Sequence, residues 1–136
     1  VRLAAQLDFE IDPTTFAAVR DMADHITRVS AERIRDELLK LFRPPYAARG
    51  LDLLCESGLL AQVLPELLPT VTCEQSPDYH PEGTVYDHIH LMLSKLPAEA
   101  SAELPWTALL HDIAKPVTQS ECEEGRIHFY GHEKKL

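Results

Sequence analysis

The chain has 136 residues, 45% of them apolar, and a formal net charge of −9. That is enough for one compact domain or two small helical subdomains with a real core, and the composition excludes a disordered chain. No stretch approaches the ~18–20 apolar residues of a membrane span and no signal-peptide pattern opens the chain, so a cytoplasmic protein without a membrane partner is expected.

The pattern is helical almost throughout, and the expected fold class is all-α. Val1 to Leu7 reads as part of a helix, an opening that suggests a piece cut from a longer chain. Asp12-Pro13 is an N-cap followed by proline in the first turn, with Phe16, Val19, Ala23 and Ile26 at helical spacing behind it. Ser30 is a second N-cap, Ile34, Leu38 and Leu41 form a buried stripe, and Pro44-Pro45 ends that helix. A third helix runs from about Tyr46 to Ser57 with Gly58 as its stop, although Gly50 inside it is unfavourable. Leu59 to Leu68 reads as one helical turn and a packed loop broken by Pro65. Thr70 to Gly83 has no period and carries Pro77, Pro81 and Gly83, which places a boundary there: residues 1–69 form one region, residues 70–136 another. Thr84 caps a helix with Asp87 three residues on, and Val85, Ile89, Met92 and Leu96 face inward up to Pro97. Pro105 opens a helix that is apolar nearly all round and therefore belongs in an interior, and Pro116 stops it. The expected helices are thus 13–27, 30–42, 46–57, 84–96 and 105–114. Residues 117–131 read as a loop or loose hairpin, with Ile127 to Tyr130 strand-like, and Gly131-His-Glu133 opens another helix.

Charge is unevenly spread. Residues 1–50 hold eight basic and eight acidic side chains, whereas residues 51–136 hold five and fourteen. So acidic a chain does not as a whole look like a nucleic-acid binder. Arg20, Arg28, Arg33, Arg35, Lys40, Arg43 and Arg49 are the only plausible phosphate contacts, although such residues usually just solvate a helical surface. Cys55, Cys73 and Cys122 form no C-x-x-C and read as reduced, incidental thiols.

The chemistry concentrates in His111-Asp112. An imidazole beside a carboxylate in a buried helix needs partners, and a divalent metal would supply one. The bland alternative is a satisfied core histidine with an aspartate near a helix end. His88 lies at the edge of the apolar stripe of the 84–96 helix, 23 residues before His111. A helix, a turn and an antiparallel helix fit that interval, so His88 can meet His111-Asp112 as a third ligand of an N, N, O set. His132 follows Gly131 and is a further metal or phosphate ligand, and His80 can reach the same pocket. His25, His90 and His128 read as solvated or packed. Lys115, one turn beyond Asp112, is placed either to hold a substrate phosphate oxygen as a point charge or simply to face the negative end of its helix.

His88 with His111-Asp112, HD closing a buried helix, resembles the HD superfamily of metal-dependent phosphohydrolases. The resemblance implies a divalent cation such as Mg²⁺, Mn²⁺ or Ni²⁺ and a phosphate-ester substrate. That family uses a further aspartate downstream, which this chain ends before reaching, so an incomplete site is expected. Val1 to Asp12, Arg28-Val-Ser-Ala-Glu-Arg-Ile-Arg-Asp-Glu-Leu-Leu-Lys40, Ala48 to Leu54 with Leu64-Pro-Glu-Leu67, and Leu109-Leu-His-Asp-Ile-Ala-Lys-Pro116 with Gly125 to Glu133 resemble, in order, segments of bacterial CCA-adding enzymes and poly(A) polymerases. The resemblance implies a helical neck and body over 1–69, a partial HD-type domain over 70–136, and tRNA as a partner of the parent. The glycine-rich loop, metal-binding carboxylates and template motif of the family's nucleotidyltransferase head would lie before Val1. Two other expectations stand beside this one: a structural, tRNA-positioning module with a relic HD site, and a stand-alone regulatory HD phosphohydrolase.

Overall fold

A computed structural model describes residues 1–122 and 126–135. Among these residues the chain is all-α apart from one two-stranded ribbon. The elements are α1 (Arg2–Leu7), α2 (Pro13–Asp21), α3 (Ala31–Leu41), α4 (Ala47–Glu56), α5 (Leu60–Val63), α6 (Val85–Ser94), α7 (Leu104–Leu110) and α8 (Lys115–Thr118), with the ribbon formed by β1 (Ser120–Glu121) and β2 (Ile127–His128). Three 3₁₀ stretches, Ala23–Arg28, Pro65–Val71 and His132–Lys134, complete it.

Several boundaries follow the local chemistry. The Asp12 side chain accepts from the Thr15 N–H at 3.0 Å, and Pro13 occupies the first turn of α2. Gly58 closes α4 at φ 74°, a left-handed conformation that suits glycine. Thr84 and Asp87 form a complete capping box at the start of α6.

Other boundaries differ from the sequence expectation. The helix expected over 13–27 is two pieces, α2 and the 3₁₀ stretch Ala23–Arg28. Ser30 precedes α3 without a side-chain cap bond. The helix expected over 105–114 ends at Leu110; the chain turns at His111 and starts again as α8. Pro116 opens α8 rather than stopping a helix, because a missing N–H costs nothing in a first turn. Helix α7 is also not apolar-buried all round. Ala108 and Leu109 are inaccessible, whereas Leu110 is 36% exposed. Gly125 of the expected motif lies outside the described residues. The helix expected after Gly131 is the short turn His132–Lys134, and the hairpin before it pairs Ser120 with His128.

One apolar cluster runs from Ala4 and Ala5 through Leu51 and Leu60 to Ile89 and Leu109. Helix α6 is its centre and contacts α4, α7 and the 3₁₀ stretch Pro65–Val71. Phe42 meets Trp106 edge to face at 5.3 Å between centroids, tying the end of α3 to α7. The irregular run before Thr84 is thus a break in the chain but not in the core.

Gly50 has a packing reason to sit inside α4. A Cβ there would lie 2.8 Å from Leu41 Cγ and 2.9 Å from its Cδ1, and Leu41 is buried. Gly50→Ala gains roughly 0.5–1 kcal/mol of helix propensity but overpacks the α3–α4 contact at a cost of about 1–3 kcal/mol. Net destabilisation of about 1 kcal/mol is expected from the two, read as a lower urea midpoint at unchanged m-value.

Candidate metal centre

Asp112 sits in the turn between α7 and α8 and is 4% exposed. The turn aims its carboxylate inward, where three cationic or metal-ligating side chains meet it. His111 Nε2 lies 3.0 Å from Oδ2, Lys115 Nζ lies 2.7 Å from the same oxygen, and His132 Nε2 approaches Oδ1 at 3.5 Å. His88 comes in from α6, its ring 5.5 Å from that of His111. One ligand atom each from His88, His111 and Asp112 lie within 4.8 Å of one another.

The ring nitrogens are arranged in a consistent way. His111 Nδ1 donates to the Ala108 carbonyl at 2.9 Å, and His132 Nδ1 donates to the Phe129 carbonyl at 2.7 Å. His88 Nδ1 lies 2.5 Å from Glu82 Oε1. A neutral imidazole whose Nδ1 carries the proton has only a lone pair on Nε2. Nε2 of His111 therefore points a lone pair at a carboxylate oxygen, which is favourable only if a cation lies between them. A proton on His111 is one such cation, and a metal ion is another. The 3.0 Å separation suits two neighbouring ligands of an ion with bonds of about 2.0–2.2 Å. Anchoring the far nitrogen on a carbonyl is also how metal-binding histidines are oriented.

The electrostatics agree with this geometry. The hydrogen bond with Asp112 raises the His111 pKa above its ordinary 6.5, against burial, which lowers it. Burial alone would raise the Asp112 carboxyl, but hydrogen bonds from His111 and Lys115 outweigh it and hold the group well below its usual range. Glu82 is lowered to about 2 by a backbone hydrogen bond and by His80 and His88.

Lys115 has different partners from those expected of a phosphate-binding lysine. It is 7% exposed; its ammonium donates to Asp112 and, at 2.7 Å, to Gln75 Oε1, and it lies 5.4 Å from the centre of the Phe129 ring. Gln75 in turn donates through Nε2 to the Thr84 carbonyl at 3.3 Å, at the start of α6. The lysine thus joins α8 to the strand-like run before α6 and holds Asp112 in place.

Two residues escaped the sequence reading. Gln75 has no recognisable signal. Glu82 has one: it stands two residues before the N-cap of the helix that carries His88. His90 was read as solvated or packed; its Nε2 is 3.0 Å from Asp52 Oδ2 on α4. Tyr86 donates to the other oxygen of Asp52 at 3.3 Å, and burial, with the Asp52 charge, raises its phenol. His128 stacks on Tyr130 at 5.1 Å, and His25 lies 3.9 Å from Asp24. Of the basic residues in the first third, Arg20 donates to the Glu56 carbonyl, Arg35 pairs with Asp36 and Lys40 with Glu37. An apolar groove of about 720 Å³ between α2 and α3, lined by Val19, Met22, Ile34 and Leu38 among others, contains none of the His/Asp site residues.

The fold and site define a helical protein whose second half carries half-buried histidines around a buried aspartate. Residues 8–70 match the family described as "Probable RNA and SrmB- binding site of polymerase A". An A-adding tRNA nucleotidyltransferase of Deinococcus radiodurans is 36% identical over 98% of this chain and 32% of its own length. A CC-adding tRNA nucleotidyltransferase of Thermus thermophilus is 39% identical, and a multifunctional CCA protein of an Azoarcus species 33%, each over 97% of this chain and 32% of its own length. Residues 8–70 therefore carry that polymerase-family segment, and nearly the whole chain is similar to one region of bacterial CCA-adding tRNA nucleotidyltransferases. It spans about a third of the length of the curated relatives it matches. No solved structure matches it. No helix among the described residues is long and apolar enough to cross a membrane.

Two predictions follow from the cluster. Lys115→Met removes one partner of a buried ion pair and should destabilise by roughly 3 kcal/mol, measured by chemical denaturation. A lysine that only met substrate would leave the midpoint unchanged. In metal-free protein the stability should also depend on pH in two directions. The raised His111 contributes stability that is fully present below 6.5 and is lost as pH rises through its folded value. The lowered Asp112 contributes stability that is present above 3.8 and is lost as pH falls toward its folded value. Melting temperature should therefore fall as pH rises above 6.5 and through the folded value of His111, and His111→Gln should flatten that limb.

Proposed function

We propose that this chain is the neck, body and partial HD-type region of a tRNA nucleotidyltransferase of the CCA-adding or poly(A) polymerase type. Residues 1–69 are the neck and body; residues 70–136 carry a metal-dependent phosphohydrolase motif. The observation that supports the motif is the lone-pair conflict at Asp112: His111 and His132 turn Nε2 toward its two oxygens while their Nδ1 protons are committed to carbonyls. His88, His111 and Asp112 would hold a divalent cation, with His132 on the second carboxylate oxygen. When bound, such a cation supplies Lewis acidity toward a phosphoryl oxygen and toward water. The chain's own residues orient it. Lys115 and Gln75 fix the Asp112 carboxylate, and the Ala108 and Phe129 carbonyls fix two imidazoles. The substrate class is a phosphate ester.

The tRNA would be met by the first third. Arg28, Arg33 and Arg43 are exposed there and free of ion pairs among the described residues, so they are available to phosphates. A cytoplasmic location accords with that partner.

A second reading, a tRNA-positioning module whose HD site only clips helices together, is favoured by one observation. Asp112, Lys115 and Gln75 form a buried network that ties α8 to the start of α6. One substitution separates the two. Asp112→Ala in the full-length parent, assayed with Mn²⁺, should abolish phosphate release from a phosphoester and leave CCA addition to tRNA largely intact. Equal loss of both activities would favour the clip. The present chain alone should add no nucleotide to tRNA, since no head motif lies within it.

A further inference from the structure

Glu82 is not one of the proposed metal ligands, yet its geometry is specific. A single oxygen, Oε1, lies 2.5 Å from His88 Nδ1 and 3.0 Å from His80 Nδ1. The two rings stand edge to face, 4.8 Å apart, and His88 continues toward His111 at 5.5 Å. The carboxylate is only 17% exposed. The chain holds it there by local means. Gly83 takes φ 116°, and a Cβ on it would lie 2.8 Å from Asp87 Oδ2, the carboxylate of the capping box. Thr84 donates its N–H to that same oxygen at 2.9 Å. The entry into α6 is thereby fixed, and Glu82 folds back over the first turn, where His88 projects.

We propose that Glu82 is a positioning residue that fixes His80 and His88 as Nδ1–H tautomers, leaving Nε2 of His88 as the free nitrogen facing His111 and Asp112. An ionised carboxylate is an acceptor only, so both rings must donate to it. The tautomer of a histidine is set by the bond its other nitrogen makes. The alternative, a separate metal ion bound by His80, Glu82 and His88, is opposed by distance. Neighbouring ligands of an ion with bonds of about 2.0–2.2 Å sit about 3 Å apart, whereas the His88–Glu82 contact is 2.5 Å and fits a shared proton. Such an ion would also take His88 through Nδ1 and leave a proton on Nε2, which removes His88 from the cluster around Asp112. The value of Glu82 as an orienter of a metal ligand rests on the proposed metal-binding reading; the tautomer assignment does not.

The test is long-range ¹H–¹⁵N spectroscopy of the imidazoles in the metal-free chain, at a pH where the rings are neutral, with signals assigned by single His→Gln substitutions. Wild-type His88 and His80 are expected in the Nδ1–H form. Glu82→Leu removes the acceptor and should return both rings toward Nε2–H or a mixture. Glu82→Gln keeps an acceptor oxygen and should largely restore the wild-type pattern. Mn²⁺ affinity, measured by calorimetry on the same three proteins, should fall about 10–100-fold in the leucine variant and less in the glutamine variant. An Nε2–H tautomer at His88 in the wild type would overturn the proposal, whether or not Glu82→Leu folds. So would a His88 tautomer unchanged in a folded Glu82→Leu protein. Absence of Mn²⁺ binding in the wild type, with the tautomers as expected, would instead remove the metal-binding reading and leave the positioning role intact.

Discussion

The buried carboxylate of Asp112 is the constraint around which the second half of this molecule is arranged. A carboxylate 4% exposed is tolerable only if its charge is met. Lys115 meets it from α8, His111 from the same turn and His132 from beyond the ribbon. Each of those partners is held in turn by something else: Lys115 by Gln75, His111 by the Ala108 carbonyl, His132 by the Phe129 carbonyl. A carboxylate so heavily supported cannot swing away. That rigidity is what a metal ligand requires and also what a structural clip requires.

Helix α6 brings the remaining histidine to this point. Its first turn is defined by the Thr84–Asp87 capping box and by the backbone bond from Val85 N–H to the Cys73 carbonyl. Ile89 and Leu93, fully buried, seat one face of the helix in the common core. His88 precedes Ile89 and projects at the edge of that face, toward the His111 turn. His90, on the other side, reaches Asp52 on α4, and Tyr86 reaches the same carboxylate. The helix is therefore pinned on one flank to the family-matched first half and on the other to the His/Asp cluster.

Much of this was legible in the chain, and the reasons for the exceptions are physical. Caps with a side-chain acceptor at the right offset, Asp12 and Thr84, read correctly because their chemistry is local. Ser30 had the same signature without forming the bond, since a cap position says nothing about which rotamer the hydroxyl adopts. The turn at His111–Ala114 was invisible. Its sequence continues a helical period, while in the fold Lys115 bonds both Asp112 and Gln75, a contact 40 residues away that a helical period does not record. Pro116 misled for a related reason, because proline suits a first turn as well as it ends a helix. In the cluster, the His-Asp pair in an apolar helix, the place of His88 at the edge of its stripe and the HD resemblance pointed to His88, His111 and Asp112. The roles of Lys115 and Glu82 depend on Gln75, 40 residues before the lysine, and on His88, 6 residues after the glutamate, contacts that no periodicity records.

The charge distribution bears on what the cluster can attract. Residues 51–136 hold fourteen acidic and five basic side chains, and that is the half that contains the His/Asp cluster. Near the cluster, Glu82 and Asp112 are both held ionised, and the single lysine is already paired. An anionic phosphoester approaching such a surface meets repulsion at long range and finds no unpaired cation among the ligands themselves. His111, raised by its bond to Asp112, carries a positive charge only while it is protonated, and that charge is turned toward Asp112. A divalent cation held by neutral Nε2 lone pairs, as proposed, would change this balance, because it would add two positive charges where the protein supplies geometry but little net charge of its own. On the proposed reading, the acidic half makes the bound ion, and not the side chains, the determinant of substrate attraction. The arginines of the first third, kept apart from this cluster, are then left to contact a polyanion on their own account.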